Sequence, residues 1–438
     1  EVGRTAGGVI NLITKSGTND FHGSVFEFFR NEKLDARDFF APAGAKPKLR
    51  QNQFGGSLGG PIFKDRTFFF GDLERFKQDS ASVATVNVPT TRMKTGDFGE
   101  LCTAGFNALG ICNNLAQQIY DPFNARAAFA NNLIPSNRFN AIAVKYLAIM
   151  PTPTRSGLAN NFTSAPVRNQ SDYTFDARID HRFTANDSFY GRFSFNNTKT
   201  HTPGPLPAVN GVEPNGSRAS FTGNSSQRSQ GLHLNHLHIF NPNLLLETKI
   251  AYARYTVNSN ALNTGNNVST DFGIIGANFD ANTTGLSLML PAGFADMGDS
   301  NFLPIVQVSN TYEIDSALTY TRKSHSFKFG GTYKDRRFVI FQSANPLGNY
   351  AFNANQTNNG AGVGGNSMAS FLLGVPATVA RANSLVYPGY QVKEFGVFVQ
   401  DDWKFNSWLT LNMGVRYDIF TPYSERTNRI SNLDLATA

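Results

Sequence analysis

The sequence predicts an all-β protein, an antiparallel up-and-down wall of a transmembrane β-barrel. Apolar and polar residues alternate with a period of two in many short runs, which is the pattern of strands with two unlike faces. The connections between these runs switch regularly between short turns and long segments rich in Asn, Gly and Pro. Short turns at one end of a sheet and long loops at the other are typical of outer-membrane barrels.

The alternation is clearest in residues 172–183, DYTFDARIDHRF, where aromatic and aliphatic residues take one parity and charged residues the other. Successive side chains of a strand point to opposite faces. The side chains expected to face lipid are Phe175, Ile179, Phe193, Leu411, Val415 and Ile419. Those expected to face inward are Asp176, Arg178, Arg192, Asn412 and Arg416.

The same test along the whole chain predicts eleven strands. They are expected near 21–30, 51–61, 67–77, 172–183, 188–196, 231–240, 244–255, 306–321, 326–336, 394–404 and 409–420. A strand of about ten residues, tilted by about 40°, covers about 25 Å, the height of a barrel's apolar band. Bacterial single-chain barrels have even strand numbers, and open edges inside lipid are costly. We therefore expect these strands to belong to a larger barrel.

Composition excludes some classes of partner and leaves others open. The net charge is +7 and the pI about 9.3, but no basic run occurs, so we predict solvated polar faces and no nucleic-acid partner. A mean hydropathy of −0.29 fits a soluble protein as well as a barrel, since barrel strands look polar on average. No stretch is apolar enough for a membrane helix.

Two cysteines, Cys102 and Cys112, lie close together in a polar, irregular stretch. The spacing favours a local disulfide in an exposed loop, with two free thiols as the alternative. A zinc site is disfavoured because there are only two thiols and no histidine nearby. Within the same long connection, PSNRFNAIAVKYLAIMP predicts a helix capped by Ser136 or Asn137, ended by Pro151 and packed against its own loop.

Three motifs suggest chemistry, but each has a simpler interpretation. GGSLG puts Ser57 in the nucleophile position of G-x-S-x-G, yet it lies within a predicted strand with no helix following. HLNHLH (233–238) puts only two of its three histidines on one face, too few for a metal site. GAGVGG (360–365) lacks the strand–helix context of a nucleotide fingerprint and predicts a floppy loop. We therefore predict no catalytic, cofactor-binding or metal-binding residues, and no enzyme.

The N-terminal segment GGVINLITKSGTNDFHGSVFEFFRN resembles the junction between plug and barrel in TonB-dependent receptors. The plug's final strand in that family carries a G-G-V-I-N-hydrophobic-x-T-K pattern. The matching residues are Gly7, Gly8, Val9, Ile10, Asn11, Ile13, Thr14 and Lys15. Residues 34–40, 50–76, 326–331 and 398–418 are similar to the Oar-like branch, whose members carry an N-terminal carboxypeptidase-regulatory-like domain.

The resemblance implies a fragment. Residues 1–20 would be the C-terminal end of the plug and 21–438 the N-terminal half of the barrel, about 11 of a probable 22 strands. The TonB box, most of the plug and the closing half of the barrel would be missing. The family's activity is energy-coupled passage of a large or scarce ligand across the Gram-negative outer membrane, with the TonB system and outer-membrane lipid as partners. The ligand stays open between peptide, glycan and metal chelate.

Two other functions remain as alternatives. A passive outer-membrane porin or barrel adhesin would share the strand pattern, but it would have no need for the G-G-V-I-N segment at residues 6–19. A soluble carbohydrate-binding β protein is disfavoured by the regular alternation of short turns and long loops.

Overall fold

The computed structural model describes residues 13–37, 46–216 and 221–431. Eleven long strands form one sheet in chain order, each antiparallel to the next. They are β1 His22–Asn31, β2 Leu49–Phe63, β3 Thr67–Ala81, β4 Val167–Arg182, β5 Asp187–Thr202, β6 Gly223–Asn241, β7 Leu244–Asn260, β8 Ile305–Arg322, β9 His325–Gln342, β10 Gly389–Lys404 and β11 Thr410–Phe420. The predicted up-and-down barrel wall is confirmed.

Several strands are longer than the alternation predicted, mainly at the ends that meet the long connections. β5 was predicted to end at 196 and continues to Thr202, while β6 begins at Gly223 rather than 231. The added residues are mostly Asn, Ser, Thr, Gln and Lys on both faces. The hydrogen-bonded ladder therefore continues where the contrast between the faces has ended, and a period-two test cannot detect it.

The two faces of the sheet differ as the parity predicted. Phe175 stacks on Phe195 with ring centroids 5.5 Å apart and lies 5.6 Å from Phe193 on the outward face. On the other face, Asp176 accepts a hydrogen bond from Ser194. At the far end of the sheet Val415 is 76% exposed on the outward face, and the register of β10 and β11 puts Ile419 on the same face. The polar parity therefore lines the concave interior.

Four long connections pack together at one end of the sheet, and we call their described residues, 82–166, 203–216, 221–222, 261–304 and 343–388, the loop assembly. They share one hydrophobic core that includes Phe98, Tyr146, Leu206, Met297 and Phe371. A small three-stranded sheet ties two of the connections together. The assembly therefore has the packed interior of a domain, although its pieces are far apart in sequence.

The remaining elements are short. The α-helices are α1 Thr91–Lys94, α2 Ala141–Ile149, α3 Val268–Phe272 and α4 Ser367–Leu372. The 3-10 turns are Gly99–Leu101, Leu115–Gln117, Ala130–Asn132, Ser136–Arg138, Ala281–Thr283 and Ala354–Thr357. The short strands are Ala84–Val86, Phe162–Ser164, Leu288–Pro291, Asn349–Phe352, Thr378–Ala380 and Ser424–Glu425. None of the helices in the described ranges is long and apolar enough to cross a membrane.

The sheet has two edges. Within the described residues β1 pairs only with β2, and β11 pairs only with β10. The two-residue strand Ser424–Glu425 pairs antiparallel with Tyr390 and Gln391, at the N-terminal end of β10. The eleven strands therefore form an open, curved wall.

Candidate functional site

Residues 13–21, which we call the linker, approach β1 across the inner face of the wall. Arg178 on β4 holds them: its Nη1 donates to the carbonyl oxygen and to Oγ1 of Thr14, both at 3.0 Å. The other edge of the guanidinium binds Asp180 at 2.6–3.1 Å. Its flat face lies 4.1 Å from the centre of the Tyr190 ring. Both edges and one face of the Arg178 guanidinium therefore make contacts.

Further contacts seat the linker close to the wall near the short turns. Ser16 Oγ donates to Asp180 Oδ2 at 2.9 Å. Asn19 exchanges hydrogen bonds with Asp65 in the turn between β2 and β3, at 2.5 and 2.8 Å. A side chain on Gly17 would collide with the carbonyl oxygen of Phe69 and would begin 2.6 Å from that of Gly60. Glycine at position 17 therefore lets the linker backbone meet the backbone of the wall.

The predicted junction residues divide between described and undescribed parts of the chain. Gly7, Gly8, Val9, Ile10 and Asn11 lie outside the described residues, so the final strand of the plug stays a prediction there, while residues 13–15 are not part of a strand. Of the others, Thr14 is held by Arg178, whereas Ile13 and Lys15 are exposed and lie outside any strand.

A second feature of the inner face is a cluster of charges across β7 to β11, around a cavity of about 520 Å³. Its ion pairs include Lys334 with Glu313 at 2.8 Å and Arg416 with Asp418 at 2.6 Å. Arg336 also pairs with Glu394, at 3.2 Å. The predicted inward residue Arg416 therefore belongs to a polar lumen that faces the axis of the barrel.

The loop assembly is held by contacts between connections. The ring of Tyr146 in α2 packs edge-on against Phe272 and Phe371, and its hydroxyl donates to the carbonyl of Ser287 at 2.6 Å. Arg126 Nη1 donates to three carbonyl oxygens of residues 355–358. This end of the wall therefore carries a surface built by four segments that are distant in sequence.

The helix in this assembly differs from its prediction. It is capped by Asn140, whose side-chain oxygen accepts from the amides of Ile142 and Ala143 at 2.9 and 3.2 Å. Ser136, a predicted cap, instead begins a separate 3-10 turn, because Phe139 interrupts with extended backbone. The prediction that the helix packs against its own loop was also incomplete, since Tyr146 contacts two other connections.

Asp299 is a buried carboxylate of the loop assembly. Asp299 accepts from the amide of Leu286 at 2.8 Å and from the side chain of Asn263 at 3.1 Å. Burial raises the pKa of Asp299 to about 6, although these hydrogen bonds act to lower it. Nothing in the periodicity of the sequence distinguishes this aspartate from exposed ones.

Cys102 and Cys112 are joined by a disulfide in the structure, with Cα atoms 5.5 Å apart. Their predicted exposure is wrong, since both are buried. Cys102 lies under Asn132, whose Nδ2 approaches its sulfur at 3.0 Å. The amide of Cys112 donates to the side chain of the buried Gln118 at 2.8 Å. The polar stretch around the two cysteines is therefore folded so that the disulfide is shielded from solvent by neighbouring residues of the same connection.

The serine and histidine motifs that suggested chemistry lie on strands of the wall, where their side chains contact neighbouring strands. Ser57 lies in mid-strand on β2, with its Oγ 2.9 Å from that of Ser24. His236 and His238 face outward beside Asp187, at 3.3 and 2.6 Å. The described residues contain no group of three or more His, Cys, Asp or Glu side chains placed to hold a metal ion.

The glycine-rich segment 360–365 is not the floppy loop that was predicted. The amide of Gly365 donates to the carbonyl of Gln118 at 2.8 Å, and a side chain on Gly364 would collide with that carbonyl. Four of its glycines have positive φ, which only glycine adopts without strain. The segment therefore packs closely against a neighbouring connection.

A protein-family model matches nearly the whole chain. The model of the outer membrane beta barrel domain family matches residues 13–438. The TonB-dependent transporter Oar of Myxococcus xanthus is 42% identical over 84 residues, which are 16% of this chain and 7% of that protein.

The solved structures with a similar arrangement include two receptors and an outer-membrane transporter. A mutant of the ferric enterobactin receptor of Pseudomonas aeruginosa is 12% identical, with a TM-score of 0.44, over 96% of this chain and 43% of its own. The ferripyoverdine receptor of the same organism is 8% identical, with a TM-score of 0.45, over 95% and 40%. The transporter YddB of Escherichia coli is 9% identical, with a TM-score of 0.42, over 86% and 35%. The chain spans less than half the length of these proteins.

Proposed function

Because this chain belongs to the outer membrane beta barrel domain family, whose model matches residues 13–438, we propose that it is part of a TonB-dependent transporter. Its place is the outer membrane of a Gram-negative cell. In this proposal residues 1–20 end the plug and residues 21–438 form about half of a barrel of about 22 strands. The TonB system supplies the energy through a segment outside this chain.

The observation that carries the proposal is the seat of the linker on the inner wall. A plug that precedes the barrel in the chain must enter it at a fixed point on the inner wall. Arg178 supplies that point through its two contacts with Thr14 and its paired contacts with Asp180. Such charge-assisted hydrogen bonds fix direction as well as position.

The loop assembly has the features of a ligand-receiving surface. Its shared core holds four connections in one arrangement, so exposed side chains of distant segments can contact one large ligand together. The ligand class remains peptide, glycan or metal chelate. In this proposal the protein does no covalent chemistry on its cargo and needs no cofactor.

The experiment compares periplasmic contents by mass spectrometry in three strains. One carries the full-length receptor with an intact TonB system, one carries the receptor without TonB, and one lacks the receptor. The proposal expects a compound that accumulates only in the first strain. Equal accumulation in the first two strains would contradict energy coupling and favour a passive porin.

A further inference from the structure

The inner wall beside the linker contains two arginines that lack an acidic partner among the described residues. Arg66 directly precedes β3, and Arg182 ends β4 on the same face as Arg178. The amide of Arg182 donates to the carbonyl of Arg66 at 2.8 Å, so the two residues lie directly opposite each other. Within the described part of the chain, neither guanidinium forms an ion pair or a hydrogen bond. Like charges directly opposite each other on neighbouring strands are destabilising, so this pair favours an anion beside it.

Both arginines lie on the lining of a pocket of about 420 Å³, which we call the linker pocket. Ser16 and Gly17 of the linker also line it, and Ser188 adds a hydroxyl group from β5. The backbone amides of Ser16 and Gly17 donate no hydrogen bond to any described residue. The linker pocket therefore combines cationic donors of the wall with neutral donors of the linker.

The acidic residues on the lining of the linker pocket are already engaged. Asp180 is bonded to Arg178 at 2.6 Å and to Ser16 at 2.9 Å. Glu247 pairs with Lys249 at 3.1 Å. The lining therefore leaves the charge of the two opposed arginines uncompensated.

We propose that the linker pocket binds a phosphate group, which bridges Arg66 and Arg182 to the linker. A guanidinium presents its donors as a fork that binds two phosphate or carboxylate oxygens at once. One fork satisfies a carboxylate, whereas the oxygens of a tetrahedral phosphate accept from two forks and from backbone amides together. The short turns of outer-membrane barrels face the periplasm, so the pocket receives phosphate from that side. This site goes beyond the proposed function, because it requires no transported cargo.

Arg66→Gln combined with Arg182→Gln tests the two arginines. This change removes two opposed cations, so the wall loses a repulsion and should still fold. Arg192→Gln combined with Lys404→Gln is the matched control, because both residues face inward and lie outside the linker pocket. A single variant, Arg182→Lys, keeps the charge but loses the paired donors of the guanidinium.

Each full-length receptor is purified in detergent and checked for a folded barrel by heat-modifiable gel mobility. Inorganic phosphate and glucose 6-phosphate are titrated by calorimetry at constant ionic strength. We expect saturable binding to the parent and to the control, weakened at least about tenfold in the double variant, the contribution of one charge-assisted hydrogen bond. Arg182→Lys should fall between them. Tighter binding of inorganic phosphate assigns the site to the free anion, and tighter binding of the ester assigns it to a phosphorylated small molecule.

Hydrogen exchange of residues 13–18 measures the bridge between the bound phosphate and the linker. The phosphate compound that binds more tightly should slow this exchange in the parent and in the control, and should leave it unchanged in the double variant. Because the purified receptor is studied without TonB, both measurements are independent of transport.

Three results would overturn the proposal. The absence of saturable binding of either phosphate compound to the parent would remove the site. Equal affinities of the double variant and the control would show that the two opposed arginines do not hold the anion. Binding that leaves the exchange of residues 13–18 unchanged in the parent would place the phosphate away from the linker.

Discussion

At the scale of single residues, the linker depends on the shape of one guanidinium group. Arg178 contacts Thr14 on one edge, Asp180 on another and Tyr190 on its face. A lysine in its place could supply the positive charge, but its ammonium group could not reproduce the contacts made by the two edges and the face of the planar guanidinium. The alternation of residues 172–183 placed Arg178 on the inner face, but no local pattern indicated that its partner lies 164 positions earlier.

We predict that Arg178→Lys and Arg178→Gln release the linker while leaving the wall intact. The lost contacts are worth about 1.5–3 kcal/mol for a hydrogen bond to a charged group. Hydrogen exchange of residues 13–18 should speed up in both variants of the full-length receptor. Arg192→Gln is the control, since Arg192 faces inward opposite Arg178. Unchanged exchange in the Arg178 variants would show that the linker is held elsewhere.

We predict that Asp299 makes the loop assembly more stable in mild acid than at neutral pH. Its pKa of about 6 lies above the value of 3.8 for a free carboxyl, so the folded form binds more protons between these limits. The free energy of unfolding therefore falls as pH rises through this window, by about 3 kcal/mol in all, and is level above it.

The measurement is hydrogen exchange across residues 261–304, corrected for intrinsic rates, in the parent and in Asp299→Asn. The difference between them is decisive, because the lowered pKa of Asp97, paired with Arg92, acts with the opposite sign in the same assembly. Asn cannot titrate, so the variant should lose this acid stabilisation. Identical pH profiles would contradict the assignment.

At the scale of elements, the strands could be predicted and the loop assembly could not. Each strand carries its own evidence, because alternate residues face lipid and lumen. The loop core joins residues such as Phe98, Leu206 and Met297 from connections far apart in sequence. Their contacts are set by tertiary packing, which leaves no periodic mark. The same cause explains the buried cysteines and the ordered segment at Gly364.

The disulfide is an element-scale constraint with a measurable effect. We predict that replacing Cys102 and Cys112 by Ser lowers the stability of the first connection by about 3 kcal/mol, the chain-entropy contribution for closing a loop of about ten residues. Limited proteolysis of residues 82–166 in the intact receptor should become faster. Peptide mapping of the unreduced parent should find Cys102 and Cys112 in one cross-linked product, and free thiols at these two positions would contradict the bond.

At the scale of the whole molecule, the wall has two unlike faces and two open edges. The outward face exposes Phe, Leu, Ile and Val side chains such as Val25 and Val415, and β1 and β11 each have one unpaired side among the described residues. Unpaired strand edges and apolar stripes favour aggregation in water. We predict that residues 1–438 expressed alone collect in inclusion bodies. A soluble monomer with one cooperative melting transition would contradict the open wall.

The central claim, that the barrel is coupled to TonB through a plug, is tested most directly at Ser16. This linker residue contacts Asp180, and Ser16→Cys in the full-length receptor gives a thiol to label in living cells, while Cys102 and Cys112 are bonded to each other. Ser188→Cys, which lines the same inner pocket on β5, is the control. We expect faster labelling of Cys at position 16 in energised cells with TonB than in cells without it, and no difference at position 188. Equal labelling at position 16 with and without TonB would contradict the account.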